Sequence, residues 1–312
     1  MDIFLKSISG ILVILGMILV GFVIGEKGWF DDKSRGLIAK LVTQIALPCY
    51  MLYTITQRFT AADLLKMLPA LRFPALSMVV LLGIATAVAR IFAVRQDRRG
   101  LFISMFFNSN TIFVGLPINQ ALFGDDSIPY VLIYYMCNTT FFWTLGTYLI
   151  QRDGEGEAQF DLKTSVKKVF SPPLMGFILG LVMVMLQIKL PAFLASDLQY
   201  LGNLTTPLSM IFIGLSVSHV GVKQLVLGKD QLLILLGRFV VAPLLMATIV
   251  YWAPLPSLMK QVFIIQSAMP VMTNAPVVAR LYGADSDYAA VMVTETTLAT
   301  MVVIPILMVL MA

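Results

Sequence analysis

The sequence predicts an all-helical, polytopic membrane protein. Ten transmembrane helices form two inverted five-helix repeats, with the fourth and ninth helices broken. Three observations lead there. Hydrophobic residues fill 59% of the 312 positions and charged residues only 12%, about half the usual ~25%. Apolar stretches reaching the roughly 20 residues that cross a bilayer recur along the chain. Glycines and prolines also recur at one spacing: Gly21 and Gly180, Pro48 and Pro207, Pro117 and Pro276, and Gly124 and Gly283 all lie 159 residues apart.

Taken in order, the first span covers 3–25. It is too long, and too poor in flanking positive charge, for a cleaved signal peptide, so it reads as a retained span. Four more follow at 36–56, 71–93, 101–123 and 129–150. A polar stretch containing Gly154 and Gly156 then connects the halves. The remaining spans are 172–190, 197–217, 230–252, 258–281 and 288–311. This divides the chain into a first repeat (1–150), a cytoplasmic connecting loop (151–171) and a second repeat (172–312). Because each half holds an odd number of spans, the second enters the membrane from the opposite side. Repeats of this kind are a sequence signature of transporters.

Lysine and arginine set the orientation. One set of loops carries Lys27, Lys33, Arg35, Arg95, Arg98, Arg99, Arg152, Lys163, Lys167, Lys168, Lys223 and Lys229, while the other side carries few, among them Arg58, Lys66 and Lys260. The first set is expected to be cytoplasmic, which places both termini outside. The net charge of +5 then follows from positive-inside loops, with no nucleic-acid partner. Cys49, Cys137 and the single histidine, His219, make no metal pattern. No phosphate-binding loop and no nucleophile-elbow motif occurs, so an enzyme or an ATP-driven pump is not expected.

The chemistry concentrates in the fourth and ninth spans. Pro117 withholds a backbone donor, and Gly115 weakens the helix beside it. Pro270 and Pro276 act likewise in the ninth. Unwound backbone at membrane depth is tolerated where it lines a site, and each restarting half-helix points a partial positive charge at that site. Asn108, Asn110 and Thr111 precede the first break, and Thr273 and Asn274 sit at the second. Amides can donate to a carboxylate without burying a charge; alternatively they cap the broken ends. Amides at both matched breaks favour substrate contact. Asn138 is a further candidate for lining the cavity, with helix-packing hydrogen bonds as its other role.

Asn110-Thr111-Ile112-Phe113-Val114-Gly115-Leu116-Pro117, followed by Ala121-Leu122-Phe123-Gly124, resembles the fourth-span signature of the auxin efflux carrier family. Ala268-Met269-Pro270, then Ala279-Arg280-Leu281-Tyr282-Gly283 with Asp285, resembles its ninth-span signature. That family lies in a wider group with the bile acid:sodium symporters. The chain is similar to its compact bacterial members, associated with malonate or malate; plant members export the auxin carboxylate. The resemblance implies that spans four and nine cross at the membrane centre. It also implies that spans three to five and eight to ten move against a scaffold of spans one, two, six and seven, in an elevator-like cycle. The substrate-binding residues it implies are Asn110, Gly115 and Pro117, with Pro270, Asn274 and Pro276. A homodimer through the scaffold helices and a bacterial inner-membrane location are further expectations.

Glu295 is the only glutamate in a predicted span and departs from the small polar residue the family has there. It reads either as a coupling site for protons or sodium, or as a hydrated residue paired with Arg238 or Arg280. The expected function is therefore a secondary carrier of small organic anions such as malonate, malate or auxin-like carboxylates, without a bound cofactor. The rival readings are a sodium-coupled symporter of a larger, bile acid-like anion, and a ligand-binding membrane receptor.

Overall fold

The computed structural model describes residues 2–154, 170–220 and 228–311, and every regular element among them is helical. The connecting loop 151–171, with Lys163, Lys167 and Lys168, lies largely outside the described residues, as does Lys223. In chain order the helices are α1 (Asp2–Glu26), α2 (Lys33–Arg58), α3 (Ala61–Ile91), α4 (Arg99–Phe107), α5 (Gly115–Phe123) and α6 (128–151). They continue with α7 (Pro172–Met185), α8 (Ala192–His219), α9 (Lys229–Tyr251), α10 (Ser257–Ser267), α11 (Ala275–Tyr282) and α12 (Ser286–Met311). Helices α2, α3, α8, α9 and α12 are long and apolar enough to cross a membrane.

Their surfaces have the character of a lipid-facing protein. Leu12, Val13 and Leu19 on α1, Leu76 and Val79 on α3, and Leu244 on α9 are all more than half exposed. A water-soluble protein would bury side chains so closely spaced. The chain is a multi-pass membrane protein.

Local chemistry explains most helix ends. Asp31 starts α2 by accepting a hydrogen bond from Ser34 N at 2.8 Å. Thr60 and Asp63 form a reciprocal capping box at the head of α3. That box begins α3 ten residues before the expected span 71–93, and Pro69 is absorbed in a tight turn at Leu68–Leu71. Wide turns at Val42–Ala46 and Gly237–Val241 immediately precede Pro48 and Pro243. A proline cannot donate to the preceding turn, and a widened turn relieves that conflict without ending the helix.

The residues fall into two compact units. Unit one holds the first turns of α1, α3 from Ala70 through α6, and α9 to α12. Unit two holds the rest of α1, α2, the start of α3, α7 and α8.

Within unit two, small residues allow close helix contact, the usual device where no water drives helices together. A Cβ on Gly214 of α8 would lie 2.1 Å from Ile18 O of α1, and one on Gly21 would lie 2.3 Å from Ile211 O. On α7, Gly176 faces the backbone of Pro48 and Gly180 faces Ile55. Both interrupted stretches lie within unit one.

Candidate functional site: two interrupted helices

The fourth predicted span is the pair α4 and α5, and the ninth is the pair α10 and α11. Between α4 and α5 the chain unwinds at 108–114, and between α10 and α11 at 268–274. Asn108 leaves α4 in extended conformation. Pro270 lies inside the second break, but the matched prolines do not sit at the middle of either. Pro117 and Pro276 lie in the first turns of α5 and α11, where a missing N–H costs nothing because no acceptor precedes it. Gly124 (φ 72°) and Gly283 (φ 75°) end those two helices, in backbone conformations that glycine enters without strain.

The breaks touch. Asn110 N donates to Pro270 O at 2.8 Å. Gln266 Nε2, from the last turn of α10, donates to Thr111 O at 3.2 Å. Gly115 explains itself here: a Cβ at that position would lie 2.2 Å from Gln266 Oε1. Thr296 of α12 supports the second break by accepting from Val271 N at 3.0 Å.

The amides behave in three ways. Asn138 clips the first break from α6: its Oδ1 accepts from Ser109 N at 2.9 Å and its Nδ2 donates to Ser109 O at 2.7 Å. Its amide is thereby committed to holding the unwound chain. Asn108 and Asn110 are buried and half-committed. Asn108 Nδ2 donates to Ser104 O, and Asn110 Oδ1 accepts from Phe113 N. This leaves Asn108 Oδ1 and Asn110 Nδ2 without partners. Asn274 sits at the N-cap of α11 without capping it. Thr111 and Pro270 are buried, whereas Thr273, Asn274 and Pro276 are half-buried. Asn119, which the sequence did not single out, is also buried; it donates to Gly115 O at 2.7 Å and leaves Oδ1 unpartnered.

The residue that sequence reasoning undervalued is Arg238. It is 0% exposed, on the widened turn of α9. Its Nη1 donates to Phe106 O at 3.2 Å; Nη2 donates to Ser267 O at 2.6 Å and Met269 O at 2.9 Å; Nε donates to Met269 O at 3.1 Å. Phe106 and Ser267 lie at the C-terminal ends of α4 and α10, and Met269 lies two residues into the second break. Gly237 lets α9 come this near, since a Cβ there would lie 2.3 Å from the Phe106 ring. The available signal was a lone arginine inside an apolar span, which is costly and marks function.

The charges can be added up. Each helix C-terminus carries about −0.5 and each N-terminus about +0.5 elementary charge. The ends of α4 and α10 therefore contribute about −1, which the guanidinium balances. The starts of α5 and α11 contribute about +1.

Glu295 lies on α12 next to Thr296. It is 7% exposed, and neither carboxylate oxygen has a partner. The pairing with Arg238 or Arg280 is not found: Arg238 spends its donors on carbonyls, and Arg280 is exposed. No cluster of three or more histidine, cysteine, aspartate or glutamate side chains able to hold a metal occurs among the described residues.

Away from the breaks, a cavity of about 520 Å³ opens at the head of α4, lined by Gln96, Asp97, Arg99, Ile103, Arg152 and Asp153. Asp153 accepts from Gly100 N at 2.9 Å and Leu101 N at 2.6 Å, so its carboxylate caps α4. Burial raises the Asp153 carboxyl above its ordinary value, opposed by those two backbone donors.

Comparison with known proteins places the chain among membrane transporters. Residues 7–308 match the family model described as membrane transport protein. An uncharacterized transporter of Methanocaldococcus jannaschii is 27% identical over 299 residues, covering 94% of this chain and 95% of that protein. An uncharacterized transporter of Methanothermobacter thermautotrophicus is 26% identical over 312 residues, covering 97% of this chain and 98% of that protein. A match of this extent indicates a transport protein rather than an enzyme. The chain belongs to the membrane transport protein family, that of the auxin efflux carriers its two interrupted spans resemble.

Proposed function

We propose that this protein is a secondary transporter of small organic anions, of the malonate, malate or auxin-like carboxylate class. One observation carries the reading. Two interrupted helices meet through the Asn110–Pro270 hydrogen bond, and Arg238 neutralises their C-terminal ends. The N-terminal ends of α5 and α11 are left to attract an anion. Asn110 Nδ2 has an open donor to offer a carboxylate oxygen, and Asn274 stands at the second break. In this reading α4 with α5, and α10 with α11, each make one of ten spans. The two inverted repeats are 1–150 and 172–312, with lysine- and arginine-rich loops in the cytoplasm and both termini outside. Alternating access is elevator-like: unit one carries both breaks and is the moving body, and unit two is the scaffold.

The test is flux of labelled malonate, malate and indole acetate in proteoliposomes, with empty liposomes as control. Asn110→Ala and Asn274→Ala should each lower uptake at least tenfold. The reading fails if no carboxylate is carried, or if both variants transport at the wild-type rate.

A further inference from the structure

Glu295 is a buried carboxylate with two unpartnered oxygens, a state that proteins rarely tolerate without purpose. Its surroundings supply one. Tyr288 is seven residues earlier on α12, and positions seven apart share a helix face. Tyr288 lies within electrostatic reach of Glu295, Arg98, Asp230 and Asp285. The Arg98 guanidinium stacks on the Tyr288 ring, 4.7 Å from its centroid, and pairs with Asp230 at 2.6 Å. Tyr288 Oη and Arg98 Nε are buried without hydrogen-bond partners, as both Glu295 oxygens are. Orphan polar atoms thus line one face of unit one, from the head of α12 to Glu295. Nine residues of helix, about 14 Å, separate Ser286 from Glu295.

We propose that Glu295 is a proton-binding site that couples anion movement to the proton gradient, reached along the face marked by Asp230, Arg98 and Tyr288. This rests on the anion-transport reading above. The coupling is electrostatic. With Glu295 ionised, its negative charge offsets the positive charge at the breaks, and an anion is disfavoured. A proton from bulk water, bonded to a Glu295 oxygen, removes that charge and lets the anion bind. The same proton returns to water on the other side when the anion leaves. One proton travels with each anion, so a monocarboxylate moves without net charge and a dicarboxylate carries one negative charge.

A proton suits the site better than a metal cation. A metal ion needs several oxygens converging on it, whereas Glu295 is a single carboxylate. The neighbouring Thr294 and Thr297 hydroxyls donate to Ala290 O and Val293 O of their own helix. The charged groups facing this region are Asp230 from α9, Arg98 from the turn before α4 and Asp285 from the turn after α11. Arg280 on α11 is exposed.

The experiment uses the full chain in proteoliposomes, with labelled malate and indole acetate as probes. An imposed inward acid gradient should raise wild-type uptake at least tenfold. Glu295→Gln should respond less than twofold, and Glu295→Asp should recover most of the response. Infrared difference spectra, which need no transport, should show a carboxylic-acid carbonyl band that titrates with pH in the wild type and vanishes in Glu295→Gln. Three results overturn the proposal: a Glu295→Gln variant that keeps the full pH response, uptake that follows a sodium gradient instead, or a Glu295 band that never appears. If the wild type carries no carboxylate, the transport reading fails, while the infrared band still decides whether Glu295 takes up a proton.

Discussion

Arg238 offers the sharpest test of how the breaks are held. Replacing it with methionine keeps the bulk and removes every donor. Three buried carbonyls, those of Phe106, Ser267 and Met269, then lose their partners. Each unsatisfied acceptor costs about 1–2 kcal/mol, so Arg238→Met should lose roughly 4 kcal/mol, less whatever water restores. Substrate affinity should fall separately, because a unit charge about 10 Å away at an effective dielectric of about 20 contributes roughly 1.7 kcal/mol, or ~15-fold. Lysine keeps the charge without the planar fork. Arg238→Lys should therefore lose stability nearly as methionine does, while holding the KM for malate within about threefold of wild type. Denaturant unfolding in detergent micelles and concentration-dependent uptake read the two effects. Equal KM values for the lysine and methionine variants would remove the charge argument. A methionine variant as stable as wild type would remove the capping argument.

Other expectations follow from the same geometry. Gly115→Ala drives a methyl group into the Gln266 amide; it should cost about 1–3 kcal/mol, read as a lower melting temperature. Asn138→Ala leaves Ser109 N unpaired, while Ser109 O keeps the Thr111 N–H; it should cost about 1–3 kcal/mol in the same assay. For Asp153 the sign runs against the usual carboxylate. Burial places its folded value above the ordinary 3.8, so the folded state holds the proton more tightly than the unfolded chain does. Its contribution is present at low pH and is lost as pH rises from about 3.8 through the raised value. The stability of wild type minus that of Asp153→Asn should therefore fall across that window; a flat difference would refute the shift.

The membrane class and helix order were legible because they depend on local composition. A bilayer demands about 20 apolar residues and internally satisfied backbone, and both demands are written residue by residue. Gly124 and Gly283, matched in the sequence, both end their helices with a positive φ, because a positive φ is a local requirement. Pro117 and Pro276 flagged the interruptions, although they proved to start the second half-helices rather than mark the middle of each break.

Other features needed tertiary structure, because they pair residues far apart in the chain. Asn138 reads either as a cavity-lining or as a helix-packing amide until Ser109 is seen between its two polar atoms. Glu295 reads either as a coupling site or as a partner for Arg238 or Arg280, until Arg238 is seen to spend its donors on the carbonyls of Phe106, Ser267 and Met269. Sequence alone determined that two helices break and that amides gather there, since proline, glycine and asparagine act on their own backbone. Only the fold decided which amides keep an unpartnered atom and what the buried charges meet, since a hydrogen bond is a matter of distance and the chain does not record distance.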